Sequence, residues 1–259
     1  MRLFDLSGKV ALITGSSRGI GKSIAMQMAL HGARVVISSR KADSCEATAA
    51  EIAAAGGTAM ARACHVGHKG ELQTLVDATL ERWGRIDIVV CNAASNPHFG
   101  PLARISDQAF EKIIHNNVLS TLWLCGMTLP AMAERKEGAV IIVSSVSGFL
   151  GSAMLGAYGI SKAADMQLAR NLAVEWGPHN IRVNCIAPGV IKTEFSRALW
   201  ADPARAAAFA RGYPLRRLGE PDDVAGVAVM LASRAGSFIT GQTLIIDGGG
   251  LIGGGEPPG

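Results

Sequence analysis

Aromatic residues make up only 5% of the 259 residues, and charged residues only 18%. A chain so poor in charge is not a disordered one, and its 49% hydrophobic content allows a sizeable core. Dense basic clusters with interleaved aromatics are missing and the net charge is a modest +4, so nucleic acid is a poor partner. A mildly basic protein can still favour an anionic ligand at one site. No apolar run is long enough to span a bilayer, so no membrane association is expected. The stretch from Met1 to Gly8 lacks the apolar core of a signal peptide. CxxC pairs are absent too. The five cysteines (Cys45, Cys64, Cys91, Cys125 and Cys185) are odd in number and read as buried free thiols in a reducing compartment. The expected location is the cytoplasm, with no bound metal.

What is present is alternation. Short apolar runs at Val10–Ile13, Arg34–Ser38, Ala59–Val66, Ile86–Cys91, Ala139–Val143, Ile181–Ile186 and Thr243–Ile246 read as seven strands. Strands apolar on both faces suit a sheet covered on both sides. Between them lie helical stretches over Lys22–Leu30, Asp43–Ala55, Lys69–Trp83, Asp107–Met132, Tyr158–Trp176 and Asp222–Ala232. Ser106 and Glu220-Pro221 are helix starts, Gly32, Gly84 and Gly177 are stops, and Asp43 reads as an N-cap. Strict alternation predicts one α/β domain over residues 1–252: a Rossmann-like, doubly wound, parallel seven-stranded sheet with helices on both faces. A mobile tail is expected over 253–259.

The first strand runs into Thr14-Gly15-Ser16-Ser17-Arg18-Gly19-Ile20-Gly21 and then a helix. Glycines let backbone amides approach a pyrophosphate, and a helix N-terminus favours its charge. The spacing is GxxxGxG rather than the commoner GxGxxG. About twenty residues on, a carboxylate would hold the ribose hydroxyls of NAD, whereas arginine accommodates a 2′-phosphate. Ser39 and Arg40 stand there, with no Asp or Glu, and Arg18 in the loop offers a second cation. NADP(H) is therefore expected over NAD(H).

Tyr158 and Lys162 are four apart, on one face of a predicted helix. A free phenol gives up its proton near pH ~10, and a neighbouring cation eases that loss. Such a pair suits general acid–base work. Taken together, Thr14-Gly15-xxx-Gly19-x-Gly21, Asn92-Ala93-Ala94, Asn117, Ser145, Tyr158-xxx-Lys162 and Pro188-Gly189 resemble the motifs of the short-chain dehydrogenase/reductase family, in order and in register, from Leu6 to Gly249. Within the family, Ser38 to Lys41, Cys64 to Gly67 and Asn92 to Pro97 look most similar to NADP(H)-dependent carbonyl reductases of the dehydrogenase/reductase member 4 group, which act on retinoids and other apolar carbonyl compounds. The chain shows no Ser-Lys-Leu-like peroxisomal address. It also departs from the family in having Ala94 where glycine is usual, and His65 where an aspartate often stands before Val66.

The resemblance implies that Tyr158 is the acid/base, that Lys162 tunes it and holds the nicotinamide ribose, and that Ser145 bonds the substrate oxygen. Ser144 and Ser147 are alternatives, but Ser144 should point to the other face. The family match selects Asn117 over Asn116 as a relay residue. It also implies cofactor contacts from Gly15, Ser17, Arg18, Gly19, Ile20, Gly21, Ser39, Arg40, His65, Val66, Asn92, Ala93, Ala94, Tyr158, Lys162, Pro188, Gly189, Ile191 and Thr193. A lid is expected near 190–215, with Phe195, Leu199, Trp200, Phe209 and Tyr213 lining it or packing on the core. Asn96, His98, Phe99, Phe149, Leu150 and Met154 are further candidates for the pocket wall. An apolar or aromatic alcohol or carbonyl substrate follows, and the family pairs its long helices in a homotetramer. The alternatives are a 3-oxoacyl-thioester (acyl carrier protein) reductase, an NAD-dependent alcohol dehydrogenase and a nucleotide-sensing binding protein without turnover.

Overall fold

A computed structural model describes residues 3–253. The tail expected over 253–259 lies outside the described residues from 254 onward. Seven strands form: β1 (Val10–Thr14), β2 (Arg34–Ser38), β3 (Thr58–Ala61), β4 (Ile88–Cys91), β5 (Gly138–Val143), β6 (Ile181–Pro188) and β7 (Thr243–Ile246). They make one sheet in the order β3-β2-β1-β4-β5-β6-β7, and every pair is parallel. The order reverses between β1 and β4, where Ile13 is paired with Val90. In such a sheet the crevice for a ligand opens outside the carboxyl ends of the strands at that reversal.

Side chains alternate between two cores, as a two-residue period requires. Ala11, Ile13, Val35, Ile37, Ile88, Val90, Ile141 and Val143 bury on one face, and Leu12, Val36, Val89, Cys91, Val140 and Ile142 on the other. The first face is covered by α1 (Gly19–Leu30), α2 (Ala42–Ala54) and, near the chain's end, Pro221–Ala232. The second is covered by α3 (Lys69–Trp83) and by helices over Ser120–Arg135 and Gly156–Trp176. Each fully buried Leu or Ile contributes roughly 1.5–3 kcal/mol. The five cysteines are all buried and free.

Three expectations need correction. The stretch 107–132 is not one helix: α4 (Asp107–Ile114) passes through a π-helical turn over His115–Leu119 into α5 (Ser120–Arg135). Asn116 and Asn117 are buried in that turn, and their amides bond outside the helix, a recurrent cause of such bulges near functional sites. Asp43 is not the N-cap of α2; Lys41 is, and Asp43 stands in the first turn, where a carboxylate suits the helix dipole. β3 ends at Ala61 rather than Val66, because β2, its only neighbour, ends at Ser38. The helix Gly156–Trp176 is α6; after β6 come two short helices, α7 (Arg197–Trp200) and α8 (Pro203–Arg211), within the stretch 190–215, and then α9 (Pro221–Ala232).

Candidate active site

The carboxyl ends of β1, β2, β4, β5 and β6 carry the loops with the expected site residues. Gly15 has φ +66° and Gly19 φ +55°, left-handed values that disfavour a side chain. A Cβ at Gly15 would lie 2.9 Å from Asn92 Nδ2, and one at Gly19 would lie 3.1 Å from Thr193 Cγ2. At Gly21 a Cβ would strike the Gly15 carbonyl oxygen and the Asn92 amide. The loop can therefore be lined with backbone alone, and it runs straight into the N-terminus of α1. Ser16 ties it down: its hydroxyl donates to Ile13 O at 2.7 Å and accepts from Ser38 N at 2.9 Å. Thr48 of α2 donates to Ser17 O at 3.2 Å.

Asn92 is a strut for the cradle. Its amide nitrogen donates to Thr14 O and Gly15 O, each at 3.0 Å. Thr14 Oγ1 accepts from Asn92 N at 3.1 Å and Ala93 N at 3.2 Å. Ala94 is half-buried just beyond. At the β2 end, Ser39 Oγ meets Cys45 Sγ at 3.2 Å, and Arg40 is exposed, as is Arg18. Neither arginine makes an ion pair with a described carboxylate. His65 faces this end. Its ring stacks on His68 at 4.5 Å, and its Nδ1 accepts from Gly67 N at 3.1 Å. Burial, then the neighbouring His68 and Arg40, hold His65 below its ordinary range, so it adds no cation there near neutral pH. Val66 is half-buried beside it.

The second half of the site hangs on α6. Tyr158 is half-buried and Lys162 fully buried. The Lys162 ammonium lies 5.7 Å from the Tyr158 ring centroid. Lys162 Nζ donates to Val143 O at 2.9 Å and to Asp165 Oδ2 at 2.8 Å. Burial pulls Lys162 down, but the Asp165 carboxylate and then Tyr158 outweigh it, and the lysine ends above its ordinary value. Ser144 donates to Lys162 O at 2.7 Å, so it faces α6, as its register requires. Ser145 is the neighbour left half-buried, and its Oγ accepts from Ser147 N at 3.1 Å. A Cβ at Gly159 would lie 2.7 Å from Ser147 O, so the helix and the serine loop meet in close contact.

Asn117 is spent on positioning neighbours. Its Oδ1 accepts from Ser95 N at 2.8 Å, and its Nδ2 donates to Ser95 O at 3.1 Å and Ser161 Oγ at 3.0 Å. Asn116 donates to Ser95 Oγ at 3.1 Å. The π turn therefore pins the loop after β4 to the helix that carries Tyr158. After β6, Gly189 N donates to Ile246 O at 2.9 Å, and Ile191 is buried, bridged to Gly219. Pro188 closes β6 opposite Ile246. Thr193 Oγ1 meets Ser196 Oγ at 3.1 Å. Trp200 donates to Thr193 O at 3.2 Å, and Tyr213 OH accepts from Val190 N at 3.3 Å. Those two aromatics brace the segment after β6. Phe195 does not: its ring centroid is 6.1 Å from that of Tyr158, and it is exposed. Phe99, Phe149, Leu150 and Met154 are exposed as well. His98 is engaged within its own loop, near Pro101 O at 3.2 Å.

Sequence spacing missed Asp165, Ser95 and Ser161. The residues 157, 161, 162, 165, 166 and 169 recur at helical spacing and are all buried, so the periodicity of α6 held the signal for Asp165.

A family model described as "Enoyl-(Acyl carrier protein) reductase" matches residues 15–250. "Dehydrogenase/reductase SDR family member 4" of Sus scrofa is 43% identical over 244 residues, covering 94% of this chain and 88% of the relative. The Homo sapiens protein of the same name is 41% identical, with the same coverage of 94% and 88%. This chain belongs to the short-chain dehydrogenase/reductase family. It is an oxidoreductase of that family, and the resemblance read from its motifs holds across the chain. The fold of a solved 7α-hydroxysteroid dehydrogenase, complexed with NADH and 7-oxo glycochenodeoxycholic acid, matches with a TM-score of 0.92 at 35% identity, over 98% of this chain and 97% of that one. A gluconate 5-dehydrogenase from Burkholderia cenocepacia J2315, in complex with NADP and tartrate, matches with a TM-score of 0.91 at 31% identity, over 96% and 97%.

Proposed function

We propose that this family member is an NADP(H)-dependent carbonyl reductase or alcohol dehydrogenase acting on an apolar or aromatic substrate. The observation that carries the reading is Tyr158 beside a buried ammonium one helical turn away, at the strand end that bears Ser145. When bound, a nicotinamide dinucleotide supplies or accepts the hydride. The cradle over Gly15, Ser17, Arg18, Gly19, Ile20 and Gly21 fits its pyrophosphate, since it is free of side chains where a Cβ would collide. Val66, Ala93, Ala94, Pro188, Gly189, Ile191 and Thr193 lie along the same strand-end crevice and are the further contacts we assign. In reduction, the Tyr158 hydroxyl donates its proton to the carbonyl oxygen; in oxidation, the phenolate accepts the alcohol proton. Lys162 steadies the negative charge on the phenol oxygen. The Ser147 amide occupies a lone pair of Ser145 Oγ, which leaves the Ser145 proton free for the substrate oxygen.

Arg40 supports NADP(H). It stands just beyond β2 with no carboxylate at 39 or 40 to hold ribose hydroxyls, and Arg18 is exposed in the cradle. The two solved structures named above hold NADH in one case and NADP in the other, so the residues just after β2 are the discriminating feature. The exposed apolar side chains Phe99, Phe149, Leu150, Met154 and Phe195 support an apolar substrate. The carrier-protein alternative leans on Arg211, Arg216 and Arg217, and Arg217 is already forked onto Asp223 at 2.6 and 2.8 Å.

A panel of ketones, aldehydes and acyl thioesters assayed with NADPH and NADH tests the reading. The expected result is turnover of apolar ketones or aldehydes. The Michaelis constant for NADPH should be about tenfold below that for NADH, the effect of one charge-assisted phosphate contact of ~1.5 kcal/mol. A lower constant for NADH overturns the cofactor assignment, and turnover confined to acyl thioesters overturns the substrate class.

A further inference from the structure

Asp165 is a buried carboxylic acid that the chemistry above does not use. It stands one turn beyond Lys162 on the inward face of α6, and neither residue is more than 2% exposed. Its Oδ2 accepts from Lys162 Nζ at 2.8 Å, while its Oδ1 has no hydrogen-bond partner among the described residues. An ion pair taken out of water is a weak contributor to stability, because desolvation offsets its attraction. A buried acid with half its acceptors idle is a costly way to hold a helix.

We propose that Asp165 is the fixed counter-charge of Lys162, a positioning residue that keeps the lysine an ammonium, drawn against Val143 O, while it serves Tyr158 and the cofactor ribose. This rests on the roles given to Tyr158 and Lys162 above. The physical reason is desolvation. A lysine buried without a carboxylate sheds its proton at lower pH, and its charge is then lost to both neighbours. Asp165 removes that weakness: burial pushes its own carboxyl up, and the Lys162 ammonium bonded to it pulls it back toward the charged form. Two of the three Nζ–H groups are spent on Val143 O and Asp165, so the third has a set direction.

The other groups around the pair do not compete for this role. Tyr158 faces Lys162 from one turn earlier on α6. From β6, Cys185 Sγ contacts Asp165 O at 3.4 Å, and burial, then the Asp165 charge, push its thiol up. From β4, Cys91 feels the same carboxylate; its contact with Cys125 of α5 and its burial push it up as well. Arg170, a turn further along α6, acts on Cys185. Both raised thiols stay neutral near physiological pH, so Lys162 and Tyr158 remain the responsive partners.

The test compares the parent with Asp165→Asn, which keeps the shape and removes the charge, and with Lys162→Met. NADPH affinity is read by fluorescence from pH 6 to 10, and alcohol oxidation is followed over the same range. The parent should bind NADPH nearly evenly from pH 7 to 9, whereas Asp165→Asn should weaken about tenfold across that interval. The acid limb of its oxidation profile should move up by about one pH unit, a tenfold change in the proton concentration at half-maximal rate. Profiles that superimpose on the parent's, or a limb that moves down, overturn the proposal. If Lys162→Met changes neither affinity nor rate, the underlying assignment of Lys162 fails. If Lys162→Met is damaged but Asp165→Asn matches the parent, only the role of Asp165 fails. A further measurement needs no altered fold: in the unaltered protein the ¹⁵Nζ resonance of Lys162, recognised by its loss in Lys162→Met, should remain that of an ammonium past the ordinary lysine value of about 10.4. A neutral amine at about pH 9 overturns the proposal whatever Asp165→Asn does.

Discussion

A single hydroxyl group separates Tyr158 from phenylalanine, and that group is the one assigned to carry the proton. Tyr158→Phe keeps the ring that faces Phe195, so the apolar wall of the pocket survives the change. Turnover should fall by about two to four decades, the usual loss when a general acid–base group is removed. NADPH binding, followed by fluorescence, should persist. Near-normal turnover with cofactor bound contradicts the assignment. At this scale much of the site was legible in the sequence, because Gly15, Gly19, Gly21, Ser145, Tyr158 and Lys162 are residue types whose chemistry is tied to their spacing. Asp165 was not. A charge three places along a helix usually faces water, and only the phase of the buried face shows that this one does not. For Tyr213 and Trp200 the sequence left lining and packing both open, because an aromatic ring advertises burial, not which side of it is buried; their bonds to Val190 N and Thr193 O favour packing.

Among the elements, α9 shows how a helix end is held in place beside the lid. Asp223, in its first turn, accepts from Glu220 N at 2.8 Å and from both arms of Arg217. The Arg217 fork and then the Glu220 amide hold its carboxyl down at about 2. A depressed carboxylate stabilises the fold above its ordinary range, and that contribution is lost as pH falls toward about 2. Asp223→Ala should cost about 1 kcal/mol through the lost cap, the ion pair adding little because water screens it. Thermal unfolding at pH 7 should therefore drop by roughly 2–4 °C. The difference from the parent should shrink in strong acid; an equal drop at both pH values contradicts the argument. The strands were readable because apolar runs of β-branched residues between glycines have few other uses. The break between α4 and α5 was not, since Asn116 and Asn117 look like ordinary helix residues until their bonds to Ser95 are seen. Helices α7 and α8 were hidden by alanines and charges, which carry little periodic signal.

For the molecule as a whole, apolar side chains remain outside the two cores. Leu122 of α5 and Ile160 and Val174 of α6 are exposed, with Val174 at 80%. We propose that these helices pair between subunits in a homotetramer, as the family resemblance implies. Sedimentation velocity at micromolar concentration should give a species near four times the 26.9 kDa chain, and a monomer contradicts this. Any such assembly inherits its geometry from the π turn at His115–Leu119. One residue more than an α-helix needs is wound into that turn, so it acts as a phase shifter between α4 and α5. Rewinding that turn as regular α-helix with all its residues kept would rotate α5 by about 100° about its axis. Leu124, Cys125, Leu129 and Met132 would swing out of the core, and Leu122 would leave the face it now presents. The same small irregularity that ties Ser95 to α6 thus also sets which side of α5 the rest of the protein, and a neighbouring copy, can meet.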